Sequence, residues 1–341
     1  MTQKQKIKNL VIILIIMSVM SLASVFYSQL NPVIINALKN NFNIVSAKGN
    51  LMVHFINVGQ GDAVAINLPD NKVMLIDDGS KNYNVDYVNY IKENVCSRKT
   101  NNCIDYLVLT HADSDHIGGT LKLMKNFKIN TVFMPKIISN SQTFEKIQTY
   151  VTKNCNYEEL GDEFVIANND YEIVFFKQLN DDNTNDSSQV VKLSYLDKSF
   201  LFTGDISSSV EDSYIKSYSS ALDCDVLKVS HHGSASSTSN EFLQAVTPKY
   251  AVISVGSNSY GHPTYDVLSR LESNNSKILR TDKHDNILFV VGQDYGLIEL
   301  HTNYHITRLS LNYRNFILII DVILFGTCVV IICKKKKRKR H

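Results

Sequence analysis

The chain has 341 residues, 44% of them hydrophobic and 20% charged, which suffices for one large domain or two small ones. Its formal net charge of +2 conceals a segregation, because residues 31–312 carry 24 Lys and Arg against 32 Asp and Glu, a net of −8. An acidic middle without a basic stripe, or basic residues interleaved with aromatics, excludes avid nucleic-acid binding through a cationic surface.

Residues 10–27 form an almost uncharged apolar run preceded by Lys4, Lys6 and Lys8. At about 1.5 Å per residue such a run spans roughly 27–30 Å of hydrocarbon. A cleaved signal peptide, an uncleaved anchor and a buried helix compete for it. The small residues Ser21-Leu-Ala-Ser24 lie inside the run rather than closing it, which favours the uncleaved anchor.

Short apolar runs at 51–58, 63–68 and 73–76 are separated by Gly59-Gln-Gly61 and Pro69-Asp-Asn71 and predict a meander of strands. Strands at 106–109 and 131–134 bracket a helix at 121–127. A second strand set at 171–176, 190–196 and 200–203 is joined by the polar loop 180–188. Strands at 225–230, 250–255 and 286–291 follow, with helices at 209–222, 240–246 and 265–272. The periodicities establish mixed α and β only.

Residues 316–333 form a second apolar run, broken by Asp321 and followed at once by seven basic residues, Lys334 to Arg340. By the positive-inside rule both termini lie in the cytoplasm and the region between the spans faces outward. The tail reads as a topology signal touching anionic lipid; Asp321 reads either as a charge reaching headgroups or the other span, or as a charge tolerated close to the interface. Cys96 and Cys103 flank a polar stretch where a small disulfide loop is one option and free thiols the other. The cysteine pattern suits a surface domain without disulfide dependence.

The chemistry concentrates in Thr110-His-Ala-Asp-Ser-Asp-His-Ile-Gly-Gly119, where His111, Asp113, Asp115 and His116 fall within six residues directly after an apolar strand. Four potential ligands on a strand-ending turn, with Gly118 and Gly119 allowing a tight bend into the next helix, suit a metal site. Asp205 ends Leu201-Phe-Thr-Gly-Asp205, and His231-His232 follow the strand before them. A Gly-Asp pair alone is an ordinary turn; after an apolar strand and downstream of the first cluster it reads as a ligand.

The His-x-Asp-x-Asp-His pattern resembles the metallo-β-lactamase superfamily signature His-x-His-x-Asp-His, with Asp113 in place of the middle histidine. Asn57-Val-Gly-Gln-Gly-Asp-Ala63, Leu75-Ile-Asp-Asp-Gly79, Asn185-Asp-Ser-Ser188, Leu227-Lys-Val-Ser-His-His-Gly-Ser234, Ser254-Val-Gly256 and Tyr260-Gly-His-Pro263 complete a set similar to the C-terminal hydrolase domain of the ComEC competence family, over roughly residues 50–300. The resemblance implies an α/β fold, a four-layer αββα sandwich over 50–305. It would be flanked by an N-terminal transmembrane helix within 1–30, a C-terminal one at 316–333, and a basic tail at 334–341.

It also implies two divalent metal ions, zinc or manganese, and no nucleotide cofactor. His111 and Asp113 would hold one ion, Asp115 and His116 the other, with Asp205 bridging and one histidine of the 231–232 pair completing the set. His232 is favoured as that ligand and His231 as the acid or phosphate-binding group, though the sequence leaves the choice open. Asp115 counts among the catalytic residues, and His262 is ligand, proton donor or loop residue. Asp77 would orient a ligand from behind, and Gln60 and Asp62 would do the same from their glycine loop. No histidine occurs between Ile117 and Gly204, so Asn185, Asp186 or Ser188 stands where many superfamily members place one. Oxygen donors replacing imidazole shift preference toward harder ions such as manganese, against an intrinsic bias toward zinc. His54, His284, His301 and His305 read as structural or exposed.

The implied activity is an outward-facing, membrane-anchored phosphodiesterase or nuclease at the cell membrane, with DNA among the candidate phosphodiester substrates. An envelope ester hydrolase of phosphocholine or teichoic-acid type, and a non-catalytic surface module with a structural metal, are the alternatives. Asp113 and the missing histidine disfavour a β-lactamase or lactonase. The many-span channel region of the ComEC family has no counterpart in the sequence, so a role in DNA uptake would require a separate membrane channel partner.

Overall fold

The computed structural model describes residues 49–302 apart from 81–86, 97–101, 137–138, 140, 181–182 and 294–295. The apolar runs at 10–27 and 316–333 and the basic tail at 334–341 lie outside the described residues. Among the described residues no helix is long and apolar enough to cross a membrane.

Two sheets organise the chain. The first takes β1 (Leu51–Phe55), β2 (Val64–Asn67), β3 (Val73–Ile76), β4 (Cys103–Val108), β5 (Lys128–Pro135) and β6 (Asn156–Leu160), and is completed on its other side by β14 (Asn286–Gly292) and β15 (Gly296–Thr302) in the order β15-β14-β1-β2-β3-β4-β5-β6. The second holds β7 (Phe164–Ala167), β8 (Tyr171–Phe175), β9 (Val191–Tyr195), β10 (Lys198–Phe202), β11 (Val226–Lys228), β12 (Tyr250–Ile253) and β13 (Lys277–Arg280), in the order β13-β12-β11-β10-β9-β8-β7.

Both faces of each sheet are covered, so the central strands are apolar at nearly every position instead of alternating. In β3, Met74 and Ile76 enter the layer between the sheets while Val73 and Leu75 face the helices behind. That middle layer is built around Phe55, Phe200, Phe202 and Phe289, with Phe55 and Phe289 edge-to-face at 6.0 Å. Behind the first sheet pack α1 (Tyr87–Tyr90), α3 (Thr120–Asn126) and α4 (Gln142–Asn154) through Val88, Leu123 and Ile147. Behind the second pack α5 (Ser208–Tyr218), α6 (Asn240–Val246) and α7 (Tyr265–Ser273) through Tyr214, Phe242 and Val267. The layering is helix, sheet, sheet, helix, as the family resemblance implied.

Several elements depart from the sequence reading. Helix α4 was not foreseen: Phe144, Ile147 and Val151 form its buried stripe, but ten polar or half-exposed neighbours dilute the period. Strands β6, β7, β13 and β15 lie at or near sheet edges, where exposed positions weaken alternation. The strand predicted over 51–58 stops at Phe55, where Asn57 leaves the ladder and its amide donates to Asn286 Oδ1 at 2.8 Å. The helix predicted over 209–222 ends at Tyr218 and continues as a 3₁₀ turn, Ser219–Leu222. No disulfide joins Cys96 to Cys103; the Cys96 sulfur lies 4.0 Å from the Cys103 carbonyl oxygen.

The fold sets the position of the site through strand direction. β3 and β4 run parallel in one sheet, and β10, β11 and β12 run parallel in the other. The residues that follow their carboxyl ends meet in one cleft, the usual place for chemistry in parallel sheets.

Candidate metal centre

Three imidazoles, each at most 1% exposed, gather at these strand ends. His111 follows β4, His116 lies in the one-turn helix α2 (Ser114–Ile117), and His232 follows β11. Ring centroids are 4.1 Å apart for His111 and His116 and 5.3 Å for His116 and His232. His116 Nδ1 lies 2.7 Å from Asp77 Oδ2, and His232 Nδ1 lies 2.8 Å from the Ser254 carbonyl oxygen. These partners only accept, so both rings donate from Nδ1 and turn Nε2 inward. His111 Nδ1 lies 3.0 Å from Thr110 Oγ1 and 3.2 Å from Ser188 Oγ. Thr110 gives its own hydroxyl proton to Asp77 Oδ2 at 2.6 Å, which leaves its oxygen to accept from His111.

All three Nε2 atoms are buried without a hydrogen-bond partner. An unsatisfied buried polar atom costs about 1–3 kcal/mol. Three aimed into one space, each with its rear nitrogen tied down, match the way metal-ligating histidines are held.

Carboxylates close the ring. Asp205 Oδ2 lies 3.3 Å from His116 Nε2 and 3.4 Å from His232 Nε2, and Asp115 Oδ2 lies 3.3 Å from His232 Nε2. Asp113 stands at the mouth, its side chain 45% exposed and Oδ2 3.9 Å from His111 Nε2. Asp205 is aimed inward by Gly204, whose φ of +53° favours glycine and whose missing Cβ would sit 2.6 Å from Ser188 Cβ. Ser188 Oγ then accepts from the Asp205 amide at 3.0 Å.

Charge follows from this packing. Burial opposes a proton on His116, but Asp205, Asp62 and Asp77 outweigh it and hold that imidazole well above its usual range. His232 is raised in the same way by Asp205, Asp115 and Asp62. His111 is driven well below by burial and by the charge on His116. Such a field favours positive charge among the rings. His111, His116 and Asp205 fit one shared ion, and Asp62, His116 and His232 satisfy the same spacing.

The predicted ligands His111, Asp113, Asp115, His116, Asp205 and His232 are therefore neighbours. His231 and His262 stand one step outside. His231, His232 and Gly233 take φ of 49°, 53° and 81°, a left-handed run that sends the two side chains apart, His232 inward and His231 to a half-buried position. His231 Nε2 lies 3.4 Å from Asn185 Nδ2, and its ring centroid is 5.6 Å from that of His262. His262 in turn stacks at 5.7 Å on Tyr260, which is 74% exposed. Burial lowers both His231 and His262. The Asn258 side chain holds the loop carrying Tyr260 and His262, accepting from their amides at 3.1 Å each.

Of the residues offered for the missing histidine, Ser188 reaches His111 and Asn185 reaches His231, while Asp186 accepts from the Ser207 amide at 2.8 Å. Gln60 lies outside the cluster and accepts from the Gly256 amide at 3.4 Å. The sequence reading missed Lys228, which is 2% exposed. Its ammonium pairs with Asp62, lies 3.3 Å from Asp205 Oδ1, and donates to the Gly204 carbonyl at 2.8 Å. The available signal was a charge in β11 where every other position is apolar.

The sequence profile described as the metallo-beta-lactamase superfamily matches residues 56–257. The chain is 30% identical over 268 residues to ComE operon protein 3 of Bacillus subtilis (strain 168), covering 74% of this chain and 34% of that protein. It is 32% identical over 193 residues to Competence protein ComA of Neisseria gonorrhoeae, covering 56% and 26%. The chain thus spans about a third or less of the curated relatives it matches. Among solved structures, the metallo-beta-lactamase fold protein YhfI from Bacillus subtilis superposes with a TM-score of 0.49 at 12% identity, covering 71% of this chain and 99% of that one.

Proposed function

The chain belongs to the metallo-beta-lactamase superfamily and resembles ComEC-family competence proteins within it, and from that premise we propose a membrane-anchored, outward-facing, metal-dependent phosphodiesterase that acts on DNA. The observation that carries the hydrolase reading is the convergence of three orphaned Nε2 atoms on Asp205 and Asp115. His111, Asp113, Asp115, His116, Asp205 and His232 would hold divalent zinc or manganese, which supplies Lewis acidity and an acidified water when bound.

The chain's own residues do the rest. Asp77 and Ser254 fix the His116 and His232 rings so that no reorganisation is needed when charge develops. His231, held neutral by burial, serves as a hydrogen-bond donor to a phosphoryl oxygen rather than as an acid. His262 packs beside it, and Tyr260, stacked on His262 and largely exposed, is suited to stacking a base. The apolar runs at 10–27 and 316–333 support the anchor, and the competence names of the relatives support DNA as substrate. A role in uptake would draw on a separate channel partner.

The net charge of −8 over 31–312 favours one second reading, hydrolysis of an envelope ester bearing a cationic group of phosphocholine type. The deciding experiment loads detergent-solubilised full-length protein with Mn²⁺ or Zn²⁺ and offers bis-p-nitrophenyl phosphate and single-stranded DNA, with Asp205→Ala alongside. Cleavage of both that is lost in the variant supports the phosphodiesterase acting on DNA. Cleavage of the small ester alone moves the assignment to the envelope ester, and cleavage of neither by a metal-loaded protein ends the hydrolase reading.

A further inference from the structure

Asp62, Asp77 and Asp205 are each at most 3% exposed and occupy one buried volume. Uncompensated, such a group of carboxylates would oppose folding. Lys228 reaches into that volume from β11, and its three ammonium protons have three acceptors: Asp62, Asp205 and the Gly204 carbonyl. The pair also joins the two sheets, because Asp62 lies on the loop between β1 and β2 while Lys228 ends β11 of the second sheet and Asp205 sits on the turn after β10. The Asp62 amide donates to the Asp115 carbonyl at 3.1 Å, which ties the same loop to the ligand turn.

Direction separates Asp62 from the other carboxylates. It approaches the imidazoles from the rear, 3.7 Å from His116 Nδ1 and 3.4 Å from His232 Nδ1. Both of those nitrogens are committed, to Asp77 and to the Ser254 carbonyl. Asp205 is divided between the two sides, with Oδ1 toward Lys228 and Oδ2 toward the inward Nε2 atoms.

We infer that Lys228 is a built-in cation holding the rear of the cluster, so that Asp62 is its counter-ion rather than a metal ligand and the centre is assembled before any metal arrives. The grouping of Asp62 with His116 and His232 is on this view already satisfied by an ammonium, and metal is confined to the Nε2 side. Lys228 is a positioning residue: it fixes Asp205 Oδ1 and leaves Oδ2 as the oxygen presented inward. The inference rests on the proposed metal site only for that confinement; the charge pairing stands without metal.

The test is a double-mutant cycle on full-length protein in detergent, read as thermal unfolding in EDTA and as metal content after reloading. Breaking a buried pair costs far more than removing both partners together. Lys228→Met and Asp62→Asn should each lower the metal-free melting temperature by roughly 10 °C, and the double variant should recover most of that loss. The double variant should also bind as many Co²⁺ ions as wild type, whereas its visible absorption bands should shift because Asp205 Oδ1 has lost the ammonium that holds it. A double variant no more stable in EDTA than the weaker single, one that loses an ion, or one whose Co²⁺ spectrum is unchanged, overturns the inference. If Lys228→Met does not fold, Asp62→Asn and the double variant still decide it. Wild type that binds no Co²⁺ would sink the metal site while the EDTA cycle still judges the charge pair.

Discussion

Asp77 Oδ2 accepts from His116 Nδ1 at 2.7 Å while Asp77 Oδ1 accepts from the Thr110 amide at 2.8 Å, so one carboxylate fixes both a candidate ligand and the backbone beside another. Replacing Asp77 with Ala should weaken metal binding by about 10–100-fold without abolishing it. Competition against a calibrated chelator measures this, and an unchanged affinity would refute the orienting role.

The adjacent histidines should separate cleanly. His232→Ala removes an inward Nε2 and should cost metal, read as ions per chain. His231→Ala should leave metal content intact and lower kcat/KM by about 10²-fold, as loss of one preorganised donor does. Equal metal loss in both variants would show that the left-handed turn does not divide their roles.

Gly204→Ala should be costly because the new methyl meets Ser188 Cβ at 2.6 Å on a backbone with φ of +53°. We expect a loss of about 1–3 kcal/mol together with reduced metal binding, since Asp205 follows directly. Gly161, with nothing within 4 Å of an added Cβ, is the control and should change by less than about 0.5 kcal/mol. Chemical denaturation of the two variants side by side settles it.

Acid sensitivity should trace in part to a histidine outside the cleft. Burial lowers His54 to about 4, with Asn67 opposing weakly, and its Nδ1 lies 2.9 Å from the Tyr90 hydroxyl. The unfolded chain takes up a proton near the ordinary histidine value whereas the native state does not, so stability falls as pH drops from about 6.5 to about 4. The full window is worth about 3 kcal/mol. His54→Gln should flatten that stretch of the stability profile by a comparable amount, and an unaltered slope would show that other groups dominate.

Much of the candidate centre was legible because its candidate ligands come in short motifs at strand ends, where Gly118, Gly119 and Gly204 mark the turns. What hid was residue-level direction. Lys228 was read as part of a strand because a lysine in a three-residue apolar run resembles a surface position, and only the opposite sheet supplies Asp62 as its partner. Asp62 itself looked like a turn residue orienting a ligand. The central strands were found because both faces are buried. The edge strands and α4 were not, because exposure leaves them too few apolar residues to carry a period.

The strand ends that supply the imidazoles lie far apart along the chain: 121 positions separate His111 from His232. An unfolded chain would pay loop-closure entropy to bring such donors together, so an ion gains its full set only from the docked sheets. Ligand occupancy is then thermodynamically linked to native packing, and at a free ion concentration a hundred times Kd it adds about 2.7 kcal/mol to the folded state. On the proposed outward-facing topology, the ionic composition of the surroundings would become a determinant of the domain's lifetime as well as of its turnover.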